Sequence, residues 1–264
     1  MKTILKYPGS KWRIADWILS FFPEHKVYCE IFFGSGALFF KKGPSYIETI
    51  NDIDGDIVNL FRVCREHPDE LAALINLTPF SREEFIICYE HTDEPIERAR
   101  RTLVRYHQSF GTSNCSKNSW RNVQTYGGPR CATMWNYLPQ AITDCCERLK
   151  QAQIENIDGI ELIKRYDDSK TLIYCDPPYL PHLRKSNMYR YEMNREKHIE
   201  MLNALKQTKS MVILSGYNDE LYNDALSGWN TAEKKTTAQM GKHRVEKLWM
   251  NFDVQMMLEE NNDA

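Results

Sequence analysis

Residues 27–36 read Val-Tyr-Cys-Glu-Ile-Phe-Phe-Gly-Ser-Gly, and residues 46–56 read Tyr-Ile-Glu-Thr-Ile-Asn-Asp-Ile-Asp-Gly-Asp. Val27 to Phe33 is a β-branched and aromatic run that passes directly into Gly34-Ser35-Gly36, the pattern of a strand ending in a glycine turn. A helical stretch leads to a second strand, Tyr46 to Ile50, which ends in Asn51-Asp52-Ile53-Asp54. Asp56 then reads as the N-cap of a helix reaching Glu66. Strand, glycine turn, helix, strand and acidic strand end, in that order, open a βαβ nucleotide-binding unit. Gly34 and Gly36 let a ligand approach the backbone where a Cβ would block it. Asp52, sixteen positions beyond Gly36, stands where such folds take ribose hydroxyls. No third glycine and no G-x-x-x-x-G-K-[ST] follow, which favours an adenosine-bearing cofactor over a dinucleotide or a triphosphate. A turn or helix cap at Asp52 would give the same local pattern.

A second stretch carries the chemistry. Residues 171–179 read Thr-Leu-Ile-Tyr-Cys-Asp-Pro-Pro-Tyr, a short apolar strand ending in Asp176-Pro177-Pro178-Tyr179. The Asp176 carboxylate and the Pro177 carbonyl can accept hydrogen bonds from an exocyclic amino group. Proline has no N–H to compete for them, and its φ is fixed. The Tyr179 ring can stack on a flat base. The plain alternative is a proline-capped turn after a core strand.

Between the two stretches the strand signal disappears. Helices are predicted at 69–76, 82–91 and 95–108, then a Ser/Asn/Gly/Thr-rich loop at 109–132, then a helix from Met134 to Lys150. Alternation resumes with strands at 153–156, 171–175, 211–215 and 245–252, and helices at 159–166, 195–206 and 219–226. The predicted fold is α/β: a Rossmann-like core divided between 1–56 and 151–264, with a mainly helical domain, 57–150, inserted. The chain of 264 residues is 42% apolar and 27% charged, enough for a buried core. The opening Met1-Lys-Thr-Ile-Leu-Lys is too short and polar for a signal peptide. No apolar run approaches the ~18 residues of a membrane span. The eight cysteines form no C-x-x-C and are expected to be reduced and mostly buried. The histidines show no metal-ligand spacing.

Net charge is −2, which does not decide for or against nucleic acid. Charge is uneven, however. Across 95–135, seven basic residues (Arg98, Arg100, Arg101, Arg105, Lys117, Arg121 and Arg130) face a single acidic one, Glu97. Trp120, Tyr126 and Trp135 are interleaved with Ser113, Asn114, Asn118, Asn122 and Gln124. Arginine and lysine bind phosphates, while asparagine, glutamine and arginine read base edges. The loop is suited to reading a duplex; an ordinary solvated loop is the alternative. A second basic loop, with Arg184, Lys185, Arg190, Arg195 and Lys197, follows the Asp-Pro-Pro-Tyr motif and is suited to holding phosphates. A mobile surface loop is its plain alternative.

In order along almost the whole chain, these pieces resemble the Dam-type DNA adenine-N6 methyltransferases. Lys6-Tyr7-Pro8-Gly9-Ser10-Lys11 matches the opening K-[WY]-x-G-[GS]-K of that family. Glu30 to Gly36 matches E-P-F-x-G-x-G, with Ile31 in place of proline. Asp52 to Ile57 matches D-I-N-x-D-L, Asp158 the acidic residue after the following strand, and Asp176 to Tyr179 the D-P-P-Y motif. Leu214-Ser215-Gly216-Tyr217 and the segment from Arg244 to Asn251 are similar to later family segments. The loop 109–132 does not match the recognition hairpin of the GATC-modifying members, so the target sequence is left open.

The resemblance implies methyl transfer from S-adenosylmethionine to N6 of an adenine flipped out of double-stranded DNA. Asp176 and the Pro177 carbonyl would take the two N–H bonds of the amino group, with Pro178 and Tyr179 completing the catalytic motif. Tyr7, Lys11, Phe32, Gly34 and Gly36 would hold the methionine end of the cofactor, Asp52 its ribose and Asp158 its adenine amino group. Asp176 would also face the methionine ammonium. Arg98, Arg105, Lys117, Asn118, Arg121, Asn122, Arg130, Arg184, Lys185 and Arg190 would contact DNA. No metal and no membrane are implied. The resemblance places the chain in a bacterial or phage-encoded cytoplasmic setting, as a monomer or weak dimer, with a companion restriction endonuclease as a further partner. Two rivals stay open on the residues alone: an N4-cytosine methyltransferase, and a DNA-binding protein of the same fold that has lost the chemistry.

Overall fold

The computed structural model describes residues 3–111, 117–124, 130–184, 187–237 and 243–254. Seven strands form one sheet in the order β3-β2-β1-β4-β5-β7-β6. They are β1 (Val27–Glu30), β2 (Ile47–Asn51), β3 (Ala152–Glu155), β4 (Thr171–Cys175), β5 (Met211–Tyr217), β6 (Asn230–Thr237) and β7 (His243–Met250). The first five run parallel. β7 is antiparallel to β5, and β6 to β7. β4 is buried at all five positions, as a central strand covered on both faces must be. Its neighbour β1 pairs with it from Val27↔Thr171 to Glu30↔Tyr174.

Short helices α1 (Ala15–Leu19) and α2 (Ala37–Lys41) flank β1 in sequence. Helices α3 (Gly55–Glu66), α4 (Pro68–Leu77), α5 (Arg82–Ile87), α6 (Pro95–Gln108), α7 (Cys131–Trp135) and α8 (Leu138–Leu149) follow β2. Helix α6 begins as predicted: Pro95 stands in the first turn, where no N–H is missed, and Glu94 accepts from the Glu97 amide at 2.6 Å. Ala99, Leu103, Val104 and Tyr106 are buried along it. These helices do not enclose a separate core. Leu71, Phe85, Leu103 and Ile142 belong to the same apolar cluster as Tyr28, Phe39, Phe61 and Tyr174. A second cluster lies under α9 (Gly159–Arg165), α10 (Arg195–Gln207) and α11 (Glu220–Ala225), with Ile163, Leu202, Tyr222 and Trp249 in it.

Three details differ from the sequence reading. The cap of α3 is Asp54, whose carboxylate accepts from the Asp56 amide at 3.0 Å, so Asp56 is freed for ion pairs from the first turn. The predicted helix 134–150 is two helices, parted at Asn136-Tyr137 with Pro139 in the first turn of the second. β6 has no counterpart among the predicted strands; its residues, Asn-Thr-Ala-Glu-Lys-Lys-Thr-Thr, lack apolar alternation, yet all eight pair with β7. Among the described residues, no helix is long and apolar enough to cross a membrane.

Candidate active site

The sheet changes direction of winding between β1 and β4. The chain steps outward from β1 through β2 to β3, then returns to place β4 on the other side of β1. Loops leaving the carboxyl ends of two such strands diverge and open a crevice, the usual ligand site of open α/β sheets. Here the loop after β1 carries Phe32, Gly34 and Ser35, and the loop after β4 carries Asp176 and Pro178. A cleft joins them, lined also by Tyr7, Gly9, Lys11, Asp52, Asp54 and Tyr189.

Lys11 lies at the centre of the charges. Its Nζ is 2.8 and 2.6 Å from the two oxygens of Asp176 and 2.9 Å from the Gly9 carbonyl. Glu246 Oε1, from β7, is 3.6 Å away. Burial alone would lower the ammonium's pKa, but Asp176 and Glu246 outweigh it and hold it above its ordinary value. Burial raises Asp176 to about 6; Lys11 opposes the rise and Glu246 adds to it. The Tyr179 hydroxyl donates to Glu246 Oε1 at 2.5 Å, and the Ser215 hydroxyl to the same oxygen at 2.6 Å. Thus four chain segments, distant in sequence, are tied by one buried polar network.

Across the cleft, Asp52 accepts from the Gly34 amide at 2.8 Å and the Asp54 amide at 2.9 Å. Burial lifts its carboxyl to about 7, those amides holding it back. Gly34 has φ +48°, and a Cβ there would lie 2.8 Å from Tyr7 Cδ1. Tyr7 therefore floors the glycine turn. It is flanked by Tyr106 and Tyr189, with ring centroids 5.8 and 6.1 Å away. The strand ends are locked from below: Asn51 donates to the carbonyls of Ile31 and Ile157 and accepts from the Ile157 amide.

The structure brings Tyr7, Lys11, Phe32, Gly34, Asp52, Asp176 and Pro178 of the expected set into one cleft. It does not bring all of them there. Gly36 caps α2 at φ +63°, and its missing Cβ makes room for the Phe33 and Phe40 rings, so its role is packing. Asp158 caps α9 through the Ile160 amide at 2.8 Å, outside the cleft lining. Pro177 is buried beside the cleft. The Tyr179 ring is only 7% exposed. Tyr217 packs edge-on against it at 4.3 Å, and Lys11 Nζ stands 4.9 Å from its centroid. This ring is enclosed, not an open stacking platform. Glu246, Ser215 and Tyr189 were given no role from sequence.

The expected DNA contacts divide into three groups. Arg98, Arg105 and Arg190 converge on Asp56, at 2.7, 3.3 and 2.7 Å, and line a cavity of about 540 Å³ with Arg101 and Lys117. Asp56 is held below its ordinary range: burial would raise it, but the three guanidiniums prevail. Lys117 is exposed over the Tyr89 ring, the Asn118 amide donates to the Tyr89 hydroxyl, and Asn122 and Arg130 are exposed. Two arginines are turned inward. Arg121 Nε donates to the Ser109 carbonyl at 2.9 Å and steadies the bridge between Ser109 and Trp120. Arg184, its side chain 3% exposed, pairs with Glu192 inside its own loop. The basic count over 95–135 also missed a counter-ion: Arg100 pairs with Glu84 as well as with Glu97, which Arg101 shares. Lys185, with Ser113, Asn114 and Tyr126 of the loop 109–132, lies outside the described residues. Among the described residues, no group of three or more His, Cys, Asp or Glu side chains could hold a metal.

The family model for the D12 class N6 adenine-specific DNA methyltransferases matches residues 7–240. A DNA adenine methylase of Haemophilus influenzae is 24% identical over 245 residues, covering 85% of this chain and 84% of that one. The type II methyltransferase M1.LlaDCHI of Lactococcus lactis subsp. cremoris is 25% identical over 264 residues, covering 91% and 90%. A DNA adenine methylase of Escherichia coli K12 is 25% identical over 239 residues, covering 83% and 82%. Among solved structures, a putative methyltransferase, yhhF, from Escherichia coli covers 93% of this chain and 86% of its own at a TM-score of 0.39 and 10% identity, a likeness too low to weigh.

Proposed function

The chain belongs to the D12 class of N6 adenine-specific DNA methyltransferases, and from that premise we propose that the cleft between β1 and β4 binds S-adenosylmethionine and presents Asp176 to a flipped-out adenine of double-stranded DNA. The observation that carries this reading is the meeting of the glycine turn after β1 with Asp176 after β4 at the switch point of the sheet. The residues present suit the cofactor. Asp52 offers carboxylate oxygens at the end of β2, the place of a ribose contact. The missing Cβ of Gly34 lets the Tyr7 ring close the floor of the turn. Asp176 already accepts from one ammonium, that of Lys11, which supports its facing the methionine ammonium. Asp158, at the tip of β3, is left for the adenine amino group of the cofactor.

When bound, S-adenosylmethionine supplies an electrophilic methyl group on a sulfonium. The chain's part is to make a poor nucleophile attack it. The N6 lone pair of adenine is delocalised into the ring. Asp176 and the Pro177 carbonyl would accept the two N–H bonds, draw the nitrogen towards tetrahedral geometry and aim the lone pair across the cleft. Fixed acceptors of this kind are electrostatic catalysis, and holding both reactants in one cleft supplies the entropic share. Asp176 is also placed to take the proton that N6 sheds. Lys11 and Tyr189 must give way for the base to enter beside Asp176.

We assign catalysis to 1–56 and 151–264, and target reading to 57–150. The Arg98–Arg105–Arg190 cluster, the half-buried Asn118 and the exposed Lys117, Asn122 and Arg130 are the candidates for duplex contact. Lys185 belongs with them by its place in the sequence. The likeness to a type II methyltransferase supports a companion restriction endonuclease. Expression in a methylation-free bacterial strain, followed by sequencing that reports 6-methyladenine, tests the whole reading. Modified adenine in one short motif is the expected result. Unmodified DNA from cells making soluble protein would refute it and turn attention to a binder that has lost the chemistry.

A further inference from the structure

Glu246 is 5% exposed and comes from the antiparallel end of the sheet, on a strand that no nucleotide-binding pattern includes. It nevertheless reaches Tyr179 and Lys11, which come from two segments far apart in the chain. Its Oε1 receives the Tyr179 and Ser215 hydroxyl protons and lies 3.6 Å from Lys11 Nζ. Lys11 is therefore shared between two carboxylates, close to Asp176 and one step from Glu246. The proposed reaction calls on Asp176 for two amines, adenine N6 and the methionine ammonium of the cofactor, yet Lys11 occupies both of its oxygens. An ammonium driven off Asp176 with no second anion beside it would be a buried, unpaired charge, which proteins tolerate poorly. A movement of about 1 Å brings Nζ from its present distance to an ordinary charge-assisted hydrogen bond with Glu246.

We propose that Glu246 is a positioning residue for methyl transfer: it receives the Lys11 ammonium when the substrate amino group displaces it from Asp176, and it fixes the Tyr179 ring through its hydroxyl. This rests on the reading of Asp176 given above. No covalent bond changes in the handover; one ion pair replaces another.

The charges facing Asp176 are few. Lys11 is in contact with it, Glu246 and Glu30 act on it as further charges, and its charge is felt by the Tyr174, Tyr179 and Tyr189 hydroxyls. The Cys175 thiol and the Tyr222 hydroxyl also sense its charge. Glu246→Gln changes only one of these. It keeps an oxygen for both hydroxyl protons and removes the negative charge, so folding is preserved while the handover is lost.

The test uses full-length protein and two readouts. In the free protein, the carboxyl carbon of Asp176, assigned by comparison with Asp176→Asn, is titrated by NMR. Removing the neighbouring negative charge should move its midpoint down by about one pH unit. With S-adenosylmethionine and a duplex carrying the mapped motif, kcat at the pH plateau should fall by about tenfold or more, with KM for DNA changed by less than about threefold. An unmoved Asp176 midpoint, or an unchanged kcat plateau, would overturn the proposal. If the wild-type protein methylates no adenine, the proposed function fails; the carboxyl titration still reports on Glu246, so the two failures are distinguishable.

Discussion

Replacing Gly34 by alanine isolates the requirement for an open glycine turn. The backbone there has φ +48°, and an L-residue in the left-handed region costs about 1–2 kcal/mol. The new methyl would stand 2.8 and 3.0 Å from Tyr7 Cδ1 and Cε1, so the ring has to retreat by about 0.6 Å to reach ordinary contact. It cannot do so freely, because Tyr106 and Tyr189 flank it, and overpacking of this kind costs about 1–3 kcal/mol. Alanine also restricts the unfolded chain, which returns about 0.4–1 kcal/mol. The expected net loss is about 2–4 kcal/mol. With a urea m-value of about 3 kcal/mol/M, the unfolding midpoint should fall by about 1 M. Gly43→Ala is the internal control: nothing lies within 4 Å of its built Cβ and its φ is not in the left-handed region, so its change should stay within about 0.5 kcal/mol. Calorimetry on the same samples should show weaker S-adenosylmethionine binding for Gly34→Ala alone. Equal midpoints for the two variants would refute the argument from φ and contact.

Four further outcomes are expected. Asp176→Ala should abolish methylation while duplex binding in a gel-shift assay is nearly unchanged; an active variant would remove Asp176 from the reaction. Because Asp176 must be ionised to accept the amino protons and its carboxyl is raised to about 6, kcat/KM should rise with pH through about 6 and then level. Lys11→Met, by removing the charge that opposes the rise, should move that limb to higher pH. Lys117→Ala should weaken binding to all duplexes alike and flatten the salt dependence by about one unit of slope. A salt slope equal to wild type would take Lys117 off the DNA face.

The parallel half of the sheet was legible because buried strands write themselves as apolar runs and their ends as glycine or acid. Thr171–Cys175 was read to the residue, and so was Pro95–Gln108, where proline and an apolar period fix a helix. What could not be read depends on partners far along the chain. β6 is an edge strand held by backbone pairing, so its polar residues carried no period. Asp54 and Asp56 are chemically alike, and only the path of the chain decides which of them caps α3. The arginines of α6 looked unbalanced because Asp56 and Glu84 lie outside the window that was counted. Glu246 meets Tyr179 across 67 positions, and its strand belongs to no nucleotide-binding pattern. Gly36 shows the opposite failure: the glycine was found, but its purpose was a crowd of phenylalanines rather than a ligand.

The order of strands in the sheet also sets a timetable for synthesis. β1 takes β2 on one edge and β4 on the other, and the whole helical insertion is made between them. At about 5–20 residues per second, a ribosome leaves one hydrogen-bonding edge of β1 unpaired for on the order of ten seconds. The open edge presents unpaired N–H and C=O groups of the strand that carries Tyr28 and Cys29, both fully enclosed in the finished protein, and such an edge is a template for pairing with neighbouring chains. The pace of synthesis across residues 57–150 therefore sets how long that edge of β1 stays open.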